Sequence, residues 1–204
     1  MIEPLSLLAY PSAAIGWLAI AAGAAGFAAL TLAILSFLFG QPFAPFDDVM
    51  IGLTALLSAG LGMLLFPAHQ ARDPQLAQAG LAFAVLGGCI AVFGSVLAVT
   101  GVANWFLAQL YVAAGNALSG IWLIILNRSG GAVDAFPNGV ATVGIFAGAV
   151  MALGIAAIPG ILAGSESEQA APWIARTVGR AGRLGSLVLF PLWCIWLGRA
   201  LLHL

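Results

Sequence analysis

The chain has 204 residues, 63% of them hydrophobic and 6% charged, with a formal net charge of -1. A soluble domain carries about 25% charged residues, so this chain cannot cover a water-exposed surface, and its balance of charge gives no footprint for nucleic acid. All six basic residues are arginine, which excludes chemistry that needs a lysine Schiff base, retinal pumping included.

A chain of this kind coats itself with lipid. Crossing a bilayer takes about 20 apolar helical residues, whereas barrels alternate polar and apolar residues over strands of about 10. Here the apolar runs are long, unbroken and rich in Ala, Leu and Gly. The expected fold class is all-α: one integral membrane domain over residues 1–204, a polytopic bundle of six helices in three hairpins, with a short interfacial amphipathic segment before the last helix. The expected spans are approximately 12–39, 47–66, 75–100, 105–126, 137–162 and 185–202.

Residues 1–11 read as an interfacial lead-in, with Tyr10 and Pro11 at its end. No positively charged region or small-residue cleavage site precedes the first apolar run, so that run is expected to remain as a span. It carries small residues in a stripe (Ala21, Ala25, Ala29) with Gly23 and Gly26 beside it. A proline-broken turn, residues 40–46, leads to the second span. Asp47 and Asp48 stand at its expected start, where carboxylates cap backbone N–H groups and complement the helix dipole.

The polar loop 67–74 and the third span follow, then a tight turn at 101–104. On the fourth span Gln109, Asn116 and Ser119 share a face at seven- and three-residue spacing. Asn116 sits near mid-membrane. A buried amide must find a partner there. Interhelical hydrogen bonding is one outcome; a ligand contact in a small polar cavity is the other. Asn127 to Gly131 reads as a glycine stop.

The fifth span repeats small residues every four positions: Gly144, Gly148, Ala152, Ala156 and Gly160. Such a stripe lets a second backbone approach closely, either within the bundle or in a homodimer. After the polar stretch 163–171, Pro172–Arg183 reads as an amphipathic interfacial helix. Arg176, Arg180 and Arg183 fall at i, i+4 and i+7 with Trp173 nearby, a pattern suited to anionic lipid headgroups. The glycines between them are not a nucleotide loop, because no strand precedes them and no Walker lysine follows. Pro191 should kink the last span, and Arg199 should snorkel to the interface.

Cys89 and Cys194 lie within apolar runs and read as small hydrophobes. His69 and His203 lack the opposed placement that a haem needs. No metal, no cofactor and no catalytic group is expected. No ionisable residue falls near the middle of an expected span, which argues against proton-coupled transport and intramembrane hydrolysis. The arginines divide evenly, Arg72, Arg128 and Arg199 on one side against Arg176, Arg180 and Arg183 on the other, so the positive-inside rule sets no orientation.

Three functional expectations result for this multi-pass chain, placed in a bacterial inner membrane. The first is a non-catalytic accessory or scaffold subunit, or a binder of lipid or another apolar ligand. Its partners would be anionic membrane lipids, further copies of itself or a larger membrane complex, and no nucleic acid. The second is a transporter or facilitator for a neutral small solute, centred on Asn116, Gln109 and Ser119. The third is a membrane enzyme acting on phospholipid headgroups at Arg176–Arg183, and it lacks an evident nucleophile and base.

Overall fold

A computed structural model describes residues 12–40, 42–71, 73–128 and 138–203. Six of its helices are long and apolar enough to cross a membrane, and no strand occurs among the described residues. The chain is an all-α, multi-pass membrane bundle. The first four spans are single helices: α1 (Ser12–Phe39), α2 (Phe43–Gln70), α3 (Pro74–Thr100) and α4 (Trp105–Arg128). The fifth is α5 (Asn138–Ala152), a 3-10 turn at Leu153–Ala157, and α6 (Ile158–Leu162). The sixth is α7 (Trp173–Leu184), a π-helical turn at Gly185–Leu189, and α8 (Phe190–Leu202). The lead-in with Tyr10 and Pro11, Arg72, the glycine stop at 129–131 and the start of the fifth span at Pro137 lie outside the described residues.

Local chemistry sets the well-defined ends. Asp73 caps α3 by accepting from the Leu76 N–H at 3.0 Å, and Pro74 occupies the first turn, where its missing N–H costs nothing. Gly101 closes the same helix in the left-handed region, φ 66°, with its N–H on the Leu97 carbonyl.

Three boundaries differ by a turn or more from the sequence expectation; the first is the end of α2, which runs through Pro67 to Gln70 into the expected loop 67–74. Helix α2 begins at Phe43, because Pro45 is tolerated in a first turn. Asp47 and Asp48 therefore lie one turn inside the helix, buried, and do not cap it. The basic segment before the last span is the first part of a helix running from Trp173 to Leu202. Its small edge, Ala175, Gly179 and Gly182, is buried. Gly182 packs on the backbone of Gly154 in the 3-10 turn, which leaves Trp173 and Arg180 outside.

The helices pack in chain order, and α1 also lies against α8, so the bundle closes on itself. Glycine permits the tightest approaches. A Cβ on Gly87 of α3 would stand 2.6 Å from the Gly115 carbonyl of α4, and one on Gly148 of α5 would stand 2.6 Å from the Gly120 carbonyl. This is small-residue packing, where backbone contact replaces side-chain interdigitation.

The two halves of the bundle are filled differently. Towards the start of α1 all six spans meet in one core that includes Leu61, Trp122, Leu123, Met151, Phe190 and Trp193. Trp193 meets Trp122 edge-on, with centroids 6.3 Å apart, and stacks on Phe190 at 6.0 Å. His69 ties the end of α2 to the end of α4 here, its ring nitrogens 3.2 Å from the Leu65 carbonyl and 3.1 Å from that of Leu126. The other half holds two smaller apolar clusters, around Leu110 and around Ile51 and Val112, with Asp47, Asp48, Gln109 and Arg183 beside them.

Candidate functional site: a polar crevice ending at mid-membrane

Three helices each contribute one polar stripe. On α2 it is Asp47 and Asp48, then Thr54 and Ser58. On α4 it is Gln109, Asn116 and Ser119, and on the sixth span Arg183 and Ser186. Steps of three and four residues keep each stripe on one helical face. Between these faces runs a crevice of about 20 Å³, walled on the α1 side by Gly26 and Ala29. It is narrow and holds little more than a water molecule.

The charged groups gather at the outer end, where α2 and α4 begin. Gln109 Nε2 donates to Asp48 Oδ1 at 2.7 Å. Arg183 Nη2 stands 3.9 Å from Asp47 Oδ2, and its guanidinium carbon lies 5.7 Å from the centre of the Trp105 ring. Asp47 Oδ1 is buried without a hydrogen bond. Buried charges are tolerated only when paired and hydrogen-bonded. Here two buried carboxylates share one guanidinium, with the Gln109 amide and the Trp105 side chain on Asp48.

Deeper in, the groups are uncharged. Thr54 Oγ1 donates to the Met50 carbonyl at 2.8 Å, and Ser186 Oγ to the Arg183 carbonyl at 2.9 Å. Ser58 Oγ is buried and has no partner. Asn116 is half-buried at the middle of α4 and makes no hydrogen bond to a described residue. The main chain of the sixth span is interrupted beside them. In the π turn the Phe190 N–H bonds the Gly185 carbonyl, not that of Ser186. Pro191 has no N–H for the carbonyl of Leu187. Two successive carbonyls in the wall thereby lose their ordinary helical donors. The floor is Met151 and Phe190, both members of the aromatic core.

No protein-family model matches the chain, and neither a curated protein nor a solved structure matches it.

Asn116, Ser119 and Arg183 line the crevice; Gln109 does not, and it bonds Asp48 nearer the start of α4. The three arginines do not act together. Arg183 turns inward, Arg180 pairs with Glu168 of the preceding loop, and Arg176 has its Nε buried without a partner. Trp173 is exposed. On the fifth span the α-helical phase of the small-residue stripe ends at Ala152, where the 3-10 turn begins. Gly148 lies against Gly120, and Gly144 against the Asn127 amide and the Trp193 indole of the same bundle. Ala156 is buried.

Sequence reasoning passed over Thr54, Ser58, Trp105 and Ser186, and read Asp47 and Asp48 as caps. A signal existed: residues 47, 51, 54 and 58 fall on one face of α2. No group of three His, Cys, Asp or Glu residues able to hold a metal ion occurs among the described residues. A second, apolar groove of about 380 Å³ lies between α3, α4 and the end of the fifth span, and is lined by Cys89, Phe93, Tyr111 and Ile158.

Proposed function

We propose that the chain is a membrane carrier or facilitator that admits a small polar solute from one face to a site at the centre of the bundle. One observation carries this reading: the polar stripes of α2, α4 and the sixth span converge on a single crevice that stops at mid-helix on Phe190 and Met151. A protein that served only to pack would gain nothing from it. An unpartnered hydroxyl such as that of Ser58 costs about 1–3 kcal/mol. Transport requires the closed half to open in turn. The π turn and Pro191 give the sixth span a place to bend, since such interruptions mark functional helices and broken spans form midplane sites in transporters.

The test is osmotic. Proteoliposomes challenged with urea or glycerol should swell faster than protein-free vesicles, and Asn116→Leu should remove the gain. Equal swelling with and without the protein, for every small solute tried, would sink the reading.

The accessory or lipid-binding reading has its own support in the second groove, whose apolar walls suit an acyl chain. Native mass measurement after gentle extraction tests it: a retained lipid that Leu118→Trp displaces supports it, and a lipid-free monomer opposes it. In either case Arg176 and Arg180, with Trp173, suit anionic headgroups of the surrounding bilayer, which we take to be a bacterial inner membrane.

A further inference from the structure

We infer that the crevice seats one neutral hydride of the size of water, either water itself or ammonia, and passes it in preference to larger solutes. The inference rests on the carrier reading and deepens it by naming the class of solute.

Size and charge point this way together. The crevice has a volume of about 20 Å³. One water needs roughly 10–15 Å³ of such space, so a single molecule of that size fits and a second does not. Most of the wall is apolar, with Ala29, Ile51, Val112 and Leu187 along it and Met151 and Phe190 as its floor. An ion entering here would exchange its hydration shell for hydrocarbon, a loss that a few polar contacts do not repay. Among the lining residues Arg183 alone is charged. Its guanidinium repels cations, and it already faces Asp47 at 3.9 Å and the Trp105 ring, so it is not free to hold an anion. A neutral solute meets neither obstacle.

The few polar groups in the wall suit a molecule that both donates and accepts. Ser58 is 3% exposed and its hydroxyl has no partner, so it can give one proton and take another. The Asn116 amide carries two N–H donors and a carbonyl acceptor, and it too makes no hydrogen bond to a described residue. Thr54 and Ser186 spend their hydroxyl protons on the Met50 and Arg183 carbonyls and keep lone pairs for the crevice. Free donors and free acceptors therefore stand side by side. A cation would leave the donors unmatched and an anion the acceptors, whereas water or ammonia uses both. Thr54 and Ser58 lie about one helical turn apart on α2, so a molecule moving inward can exchange one partner for the next. Pores that select water combine the same elements: a narrow bore, sparse hydrogen-bonding groups and an arginine that turns cations away.

The experiment uses the full chain in proteoliposomes. Shrinkage against sucrose, followed by light scattering, reads water. Alkalinisation of a trapped pH dye after addition of ammonium chloride reads ammonia, which enters neutral and takes a proton inside. Swelling in urea and in glycerol is recorded on the same vesicles. The gain over protein-free vesicles should be largest for water or ammonia, smaller for urea and smallest for glycerol. Whether water or ammonia shows the larger gain distinguishes the two hydrides. Potassium and chloride entry should stay at the protein-free level. Ser58→Ala removes an unpartnered hydroxyl, so it should unfold no earlier than the parent, yet it should cut the gain by about fivefold, the factor expected for one lost hydrogen bond. Thr54→Val should act in the same direction, and Thr54→Ser should retain the gain. A full gain in both Ser58→Ala and Thr54→Val overturns the inference. A gain for urea or glycerol that matches or exceeds those for both water and ammonia also overturns it and leaves the carrier reading standing. No gain for any of the four solutes removes both.

Discussion

The Gln109 amide donates to Asp48 Oδ1 at 2.7 Å across 61 positions of sequence, and it joins the second turns of two membrane helices. Both residues are buried. A hydrogen bond to a charged group contributes about 1.5–3 kcal/mol, and removing the donor also strands the acceptor. Gln109→Leu should therefore destabilise the bundle by about that amount, and Asp48→Asn, which keeps a hydrogen-bonding pair, by less. Denaturant unfolding in detergent checks the order. Equal stability of Gln109→Leu and the parent would contradict it.

Arg183 is the lone cation facing Asp47 and Asp48 among the described residues. Breaking a buried charge pair by removing one partner costs about 3–5 kcal/mol. The Arg183 side chain is 33% exposed, so about 3 kcal/mol is expected for Arg183→Met, with solvent screening the rest. Adding Asp47→Asn should recover part of the loss, because the stranded charge is then gone. The double-mutant cycle reads this coupling directly. Strict additivity would show that the 3.9 Å pair carries no energy.

Two glycines separate close packing from mere composition. Gly148→Leu must push α5 off α4, because even its Cβ would stand 2.6 Å from the Gly120 carbonyl. A loss of about 1–3 kcal/mol or more is expected from overpacking. At Gly179 a Cβ would meet nothing within 4 Å. Gly179→Ala should stabilise α7 by about 0.5–1 kcal/mol through helix propensity alone. Paired unfolding curves test both, and a reversal of sign at either position would refute the packing described.

A crevice open to one face makes an accessibility prediction. In a Cys89→Ser, Cys194→Ser background, Asn116→Cys should be blocked by silver ions added to one side of a sealed vesicle and not to the other. Leu123→Cys, in the core beyond the floor, should stay unblocked from both sides. Labelling of the remaining thiols after denaturation reads the result. Blocking of Asn116→Cys from both sides, or from neither, would show that the crevice is not closed at mid-membrane on one side only.

Much of this architecture is legible in the residues. Six apolar runs, each long enough to cross, require six helices, because no other open structure satisfies its backbone in lipid. Helical spacing also groups Gln109, Asn116 and Ser119 without reference to any partner. The acidic pair was harder to read. Asp-Asp after a proline-rich turn has the pattern of a cap, and only the start of α2 at Phe43 turns both side chains into the bundle. Arg183 has the pattern of a lipid ledge with Arg176 and Arg180, and only the packing of α7 on the 3-10 turn carries it to Asp47.

By itself, then, the sequence determined what the chain must be: a charge-poor bundle of six membrane helices, with its polar residues confined to few positions. Hydropathy and helical period are local quantities, and they suffice for that. Which polar positions meet was decided by the tertiary structure alone. The Asp48–Gln109 contact and the Asp47–Arg183 pair depend on where helices start, how close their glycines let them come, and how the π turn before Pro191 rotates the last span. Each is a relation between segments far apart in the chain, settled by the demand that buried polar groups find one another in the absence of water.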